Sequence, residues 1–191
     1  MQLKRWLGMW IARLCAPRMI YGYRRFDGRW LAHTRVSTHT KIEHGHQLDI
    51  DDHVFIGHFN VLDASGGLSV GEGCQITNYV SILSHSSHRA LRLMGRAYLG
   101  HPDPVGYVRA ATTIGPYTFV GPHSVIAPGS RLGRGVLVLA HSYVDGEVPD
   151  FAVVGGQPAR VLGDTRERDH DWLERHPQIR EHYEAWAGAW E

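Results

Sequence analysis

The chain is poor in cysteine. It holds only Cys15 and Cys74, and the pair has no metal-binding or redox spacing. A reducing cytoplasm is consistent with that usage. Long apolar runs are missing too: nowhere do about 18 apolar residues follow one another, so no membrane-spanning helix is expected. Strong net charge is also absent, since 20 Lys and Arg stand against 19 Asp and Glu and leave +1, which gives no global field for nucleic acid. Met1–Ala16 opens with Lys4 and Arg5 before an apolar patch. Arg13 interrupts the patch and no convincing cleavage site follows, so a secretory signal is not expected. At 191 residues there is room for one domain with a real core. Histidine is the exception to this scarcity, with 14 copies; most are expected to be solvated, and only those at special positions carry information.

What the chain does have is a period of six. Val108, Ile114, Val120, Ile126, Leu132, Val138 and Val144 are all aliphatic. With aliphatics at about one position in four, such a run is improbable by chance. The residues two before Ile114 and its successors are small or modest: Thr112, Thr118, Ser124, Ser130, Val136 and Ser142. Gly115, Gly121 and Gly133 directly follow their aliphatic partners.

Six is neither a helix period nor a strand alternation. It is the signature of a parallel β-helix built from hexapeptides. Each hexad supplies a short strand and a turn. The aliphatic points inward and stacks on its equivalent in the next coil, and the small residue fits the narrow corner. The glycine is expected to serve a turn that needs positive φ. Cys74, two before Ile76, shares the small-residue register and is expected in the core.

Ahead of this stretch the register recurs in three blocks: Val36, Ile42 and Leu48; then Ile50, Ile56, Leu62 and Leu68; then Val70, Ile76 and Ile82. It slips by two residues at each join, which longer corners would absorb. Together the hexads suffice for roughly five to six triangular coils.

The flanks read differently. Residues 3–14 form an amphipathic helix, with Leu3, Trp6, Leu7, Trp10, Ile11 and Leu14 on one face and Lys4, Arg5 and Arg13 on the other. That helix packs on its own domain or a neighbour, or lies on a membrane surface; Pro17 ends it. Residues 21–35, aromatic and basic, serve as a cap or leading strand, because a solenoid's first coil otherwise exposes an apolar end. From Ser84 to Tyr107 the register stops in an insertion rich in His, Arg and aromatics, expected to overhang a neighbouring surface. Residues 164–191 are helical, with Pro177 opening a second segment. Ile179, Tyr183, Trp186 and Trp190 share a face there, as a cap or an arm toward a neighbouring subunit. The predicted fold is thus an all-β solenoid in three parts: an N-terminal helix and cap (1–35), a hexapeptide-repeat β-helix (36–163) with inserted loop 84–107, and a C-terminal helical extension (164–191).

The hexads, the His-bearing insertion and the terminal GGQPARV together resemble the hexapeptide-repeat acyltransferases. The nearest branch is that of the maltose and galactoside O-acetyltransferases, the streptogramin acetyltransferases and the sugar O-acetyltransferases of polysaccharide gene clusters. The resemblance covers about residues 36–163. GGQPARV looks like the family's G-N-P-A-K/R, with Gln157 in place of Asn. The resemblance implies a left-handed β-helix and a homotrimer with active sites between subunits. It implies direct acetyl transfer from acetyl-CoA to a saccharide hydroxyl by a histidine base, without a metal, in the cytoplasm or peripherally at the inner membrane face through residues 3–14.

An imidazole titrating near neutrality suits that chemistry, because a sugar hydroxyl must lose its proton as it attacks the thioester. In ILSHSSH the resemblance places the base at His88, six after Ile82, with His85 orienting it or the acceptor. In GHFNVLDASGG it places Asn60 and Asp63 at the acceptor, Asp63 holding a sugar hydroxyl or the base. Gly121 and Ala140 match positions along the pantetheine arm, and Arg160 matches a residue meeting a CoA phosphate. Pro122 stands where the family often has Ser, which removes one donor. Three other readings stay open: an N-acetyltransferase of the same fold, a γ-type carbonic-anhydrase-like hydratase with three converging histidines, and a non-enzymatic scaffold.

Overall fold

The computed structural model describes residues 2–189, apart from the side chains of 2–5, 7 and 8. The expectations for the side chains of Leu3, Lys4, Arg5 and Leu7, and for Trp190, lie outside the described residues. The centre of the molecule is a prism of short parallel strands in three sheets. One runs through Phe55–Ile56, Gln75–Ile76, Phe119–Val120 and Leu137–Val138. A second stacks Val61–Asp63, Ser81–Ile82, Val125–Ile126 and Tyr143–Val144. The third contains Leu48–Ile50, Leu68–Val70, Thr112–Ile114 and Arg131–Leu132.

The hexad aliphatics make the core. Ile56, Ile76, Val120 and Val138 are fully enclosed, as are Leu62, Ile82 and Ile126. Each pairs in register with its equivalent one coil away, as Ile56 does with Ile76 and Leu62 with Ile82. A fully buried side chain of this size contributes about 1.5–3 kcal/mol, so the column is the main source of stability. Thr112, Thr118, Ser124 and Ser130 are buried in the corners, where their hydroxyls donate to carbonyls of a neighbouring coil, Thr118 to Gly133 and Ser124 to Leu139. The corner needs a small side chain that can still answer a backbone carbonyl.

The two-residue slips lie in a corner, as expected. Leu48–Ile50, Leu68–Val70 and Thr112–Ile114 pair residue for residue, and Ile114 pairs with Leu132, so the third sheet keeps its length through early and late coils. The extra residues lie in the corner before it, where 43–47 and 63–67 do what 127–129 do in a later coil.

The glycine expectation is corrected. Gly115 and Gly121 do not have positive φ; the positive values fall two residues later, at Tyr117 and His123. Glycine is required after the aliphatic because the next coil passes too close. A Cβ on Gly121 would stand 2.6 Å from the Ala140 nitrogen. Rings, not glycines, occupy several left-handed corners, at a cost of roughly 1–2 kcal/mol each. Stacking offsets part of that, at about 0.5–1.5 kcal/mol per pair. Along one corner the rings of His39, Phe59, Tyr79, His123 and His141 follow one another, with centroids 5.5, 5.1, 4.9 and 4.8 Å apart. This accounts for part of the histidine surplus.

Both ends are closed. Strands Met19–Arg24 and Trp30–Ser37 form an antiparallel hairpin whose second strand pairs with Phe55–Ile56. It is preceded by helix α1 (Gln2–Leu14). At the far end Ala152–Gly156 and Ala159–Asp164 form a second hairpin, with a cis Gln157–Pro158 peptide at its turn. The insertion carries helix α2 (His88–Met94). Helices α3 (Thr165–Arg175) and α4 (Arg180–Ala187) complete the chain, α3 capped by the Asp164 carboxylate accepting from the Arg166 amide. Trp186 of α4 lies over Gly135, stacked on Tyr117 at 4.6 Å and tilted against Phe151 at 6.0 Å. The helical arm thus docks on its own prism.

Cys74 is fully enclosed, its Sγ 3.0 Å from the Gly115 carbonyl, and burial pushes its thiol pKa up to about 12. Cys15 is exposed. A thiol-reagent titration should therefore count one reactive cysteine in the native protein and two after unfolding. A count of two in the native protein would contradict this packing.

Candidate active site

Asp63 lies at the inner end of strand Val61–Asp63, one coil before Ser84 and His85. Its carboxylate is enclosed, with 1% of the side chain exposed, and it is saturated with donors. Oδ1 accepts from the Ser65 amide at 3.0 Å. Oδ2 accepts from the Ser84 amide at 2.9 Å, the Ser84 hydroxyl at 3.0 Å and His85 Nδ1 at 2.6 Å. Burial opposes ionisation, yet the donors around Asp63, led by the Ser65 and Ser84 amides, outweigh it. They hold the carboxyl well below the usual range.

That fixes the state of His85. An ionised carboxylate only accepts, so Nδ1 carries a proton, and in the neutral ring it is Nε2 that presents the lone pair. Ser65 Oγ, 2.9 Å from the same Nδ1, adds a second constraint. The His85 side chain is one-third exposed, at 34%, so the ring is held from behind and open in front. Tyr107 stacks on it at 5.7 Å with planes 7° apart, and the Arg109 guanidinium lies over Tyr107 at 5.6 Å.

The insertion owes this geometry to its base. His85–Ser86 pairs antiparallel with Val108–Arg109, so the register stops at a two-residue ladder that returns the chain to the coil it left. Outward from Tyr107 the insertion encloses an open cavity of about 500 Å³, lined by Tyr98–Pro104, Tyr107 and Arg109.

The two histidines are placed differently. His88 begins α2, is exposed, and has its Nδ1 engaged by Ser86 Oγ at 2.6 Å. Among the described residues no carboxylate reaches its ring. Asn60 lies deeper. It is 1% exposed, with Nδ2 donating to the Gly57 and Thr77 carbonyls and Oδ1 accepting from the Val80 amide. It occupies a small-residue corner position, two before Leu62, and joins adjacent coils. Gly121 and Ala140 lie side by side on adjacent coils, Gly121 buried and Ala140 exposed. Arg160 is exposed on the last hairpin, its Nη1 donating to the Ala159 carbonyl.

Ser65, Ser84, Tyr107 and Arg109 were not expected at the site. A signal for the first two was present: Leu62 and Ile82 are equivalent, so Asp63 must lie beside the residues just after Ile82. Tyr107 and Arg109 are placed by the closing ladder, which hexad spacing does not encode. The other His–carboxylate group, His33, Asp52 and His53, lies near the first coil. Its imidazoles stack face to face at 4.4 Å and 4°, so their in-plane lone pairs run parallel and do not converge on one ion.

The architecture defines the class of protein first: a parallel β-helix of hexapeptide coils with one interrupting loop. Solved structures of that class align with it. A hexapeptide-repeat acetyltransferase from Vibrio cholerae, solved with acetyl-CoA, is 26% identical over 65% of this chain and 64% of that one, with a TM-score of 0.55. A maltose O-acetyltransferase from Clostridium difficile shares the fold at 18% identity and a TM-score of 0.52, over 66% of this chain and 64% of that one. In sequence, a probable acetyltransferase of Mycobacterium tuberculosis is 28% identical over 71% of this chain and 42% of its own length. A serine acetyltransferase of Buchnera aphidicola is 30% identical over 64% and 41%. The chain spans about two-fifths of the length of these two curated relatives. No family model matches it. The resemblance to the hexapeptide-repeat acyltransferases is borne out by these relatives in sequence and by the solved structures in fold.

Proposed function

We propose that the chain is an acyltransferase that moves an acetyl group from acetyl-CoA to a hydroxyl of a saccharide, with His85 as general base. The observation that carries this reading is the His85–Asp63 pair at the foot of the insertion. The acceptor hydroxyl gives its proton to His85 Nε2 as its oxygen attacks the thioester carbonyl. The carbonyl π electrons move to oxygen, then return to expel CoA as thiolate, which takes the proton back from His85. Asp63 stays ionised and holds the imidazolium while it exists. No metal is needed for these steps.

Acetyl-CoA as donor is supported by the Vibrio cholerae enzyme. A sugar acceptor is supported by the maltose O-acetyltransferase and by an N-acyltransferase from Bacillus cereus, whose S84C mutant was solved with dTDP-4-amino-4,6-dideoxyglucose and coenzyme A and shares the fold at 18% identity and a TM-score of 0.52, over 75% of this chain and 88% of that one. Gly121 and Ala140 would line the pantetheine arm, and Arg160 would meet a CoA phosphate. The left-handed sense of the helix and a homotrimer belong to the same reading.

Calorimetric titration with CoA and acetyl-CoA tests it. One saturable site per chain is expected, and Arg160→Ala should weaken it by about tenfold, the worth of a charge-assisted hydrogen bond. No saturation at millimolar CoA would overturn the proposal.

A further inference from the structure

The charge of the chain is unevenly spread. Residues 1–30 hold seven Lys and Arg against a single acid, Asp27, while the rest of the chain holds thirteen against eighteen. The near-neutral whole is thus a strongly basic N-terminal segment joined to an acidic body. Three of the six tryptophans, Trp6, Trp10 and Trp30, fall in the same segment.

The structure leaves that segment's apolar side chains uncovered. On α1 Trp6, Met9, Trp10, Ile11 and Leu14 are exposed, each by 47–65%. Trp6 and Trp10 meet edge to face at 5.7 Å, so they form one aromatic ridge and not two scattered rings. Arg13 lies seven positions after Trp6 and three after Trp10, so its charge borders the ridge and does not sit on the opposite face expected from the sequence. Arg18 donates to the Arg13 carbonyl at 3.1 Å and keeps a second cation at the helix end. The hairpin that follows exposes Ile20, Tyr21, Phe26 and Trp30, with the Arg24 guanidinium over Trp30 at 5.7 Å. Among the described residues no helix is long and apolar enough to cross a membrane.

We propose that α1 and the adjoining hairpin are a docking surface for an anionic lipid bilayer, which the helix enters only to the depth of the headgroups. The occupant follows from the chemistry. Exposed Trp and Leu partition into the boundary between headgroup and acyl chain, while Arg and Lys stay at the level of the phosphates. The acidic body is repelled by the same surface, which orients the prism away from it. A protein partner would not require a basic excess confined to this segment, whereas an anionic leaflet does. This inference is independent of the acetyl-transfer reading.

The test is co-sedimentation of the full chain with vesicles of equal parts phosphatidylglycerol and phosphatidylcholine, against vesicles of phosphatidylcholine alone. Binding to the anionic vesicles, weakened by added salt, is expected. Arg13→Glu should lower partitioning by at least about fivefold, the contribution of one cation near an anionic surface. The pair Trp6→Ser and Trp10→Ser should lower it further, and brominated acyl chains should quench the wild-type fluorescence more strongly than that of this variant, which keeps Trp30 on the docking hairpin. All these side chains are exposed, so circular dichroism should be unchanged. Equal binding to both vesicle types would overturn the proposal, as would failure of the substitutions to matter. A fall in sedimenting mass of the variants without vesicle binding would assign the surface to a second copy of the chain and also overturn it.

Discussion

Replacing His85 by alanine is expected to lower kcat by about 10²–10⁴-fold, the range for a positioned general base. CoA affinity should not change, because the ring is held by Asp63 and Ser65 and not by the late coils. His88→Ala should leave turnover near wild type. The contrast is what discriminates, since the two histidines are three residues apart and only one has a carboxylate behind it. The measurement is release of CoA thiol from acetyl-CoA, with an acceptor drawn from a saccharide panel. A large loss in His88→Ala with little in His85→Ala would return the base to His88.

Asp63→Asn is the second large effect, and it separates catalysis from stability. An amide in place of the carboxylate can no longer demand a proton on His85 Nδ1, so the wrong tautomer is populated. Turnover should drop by about 10²–10⁴-fold, as in other His–carboxylate pairs. Stability should drop as well. The amide turns a donor toward at least one of the groups that now donate to Oδ1 or Oδ2, at a cost of about 1–3 kcal/mol for a buried unmatched polar group.

The pH dependence of that difference has a definite sign. The folded-state pKa of Asp63 is lowered, so its contribution is fully present above the ordinary carboxylate value near 4. It is lost as pH falls through the lower folded value. The gap between wild type and Asp63→Asn in urea melts should therefore be widest near neutrality and close only in strong acid. A gap that widened toward acid would show that Asp63 is not held ionised.

How much of this was readable beforehand differs from element to element. The solenoid was legible because its rule is local. Every sixth residue must be aliphatic, and the residue two before it must be small, since both meet the same neighbour one coil away. The register slips were legible as longer corners, because a face must stay in register with the coils on either side, and strand pairing puts the excess in the corner before the third sheet. Glycine after the aliphatic was read as a sign of positive φ, because sequence does not distinguish a strained backbone from a close neighbour. Distance to Ala140 does.

For the site, the sequence by itself determined the residue types and the neighbourhood: a histidine pair opening an insertion, an aspartate one coil earlier, and a GGQPARV hairpin at the end. Tertiary structure decided which histidine faces the aspartate. The reason is geometric. Coil stacking brings Asp63 against the residues immediately after Ile82, so a difference of three positions separates a ring on the coil from a ring on the helix that leaves it. The burial of Asn60 in a corner was decided in the same way, since side-chain direction in a coil is set by register and not by chemical type.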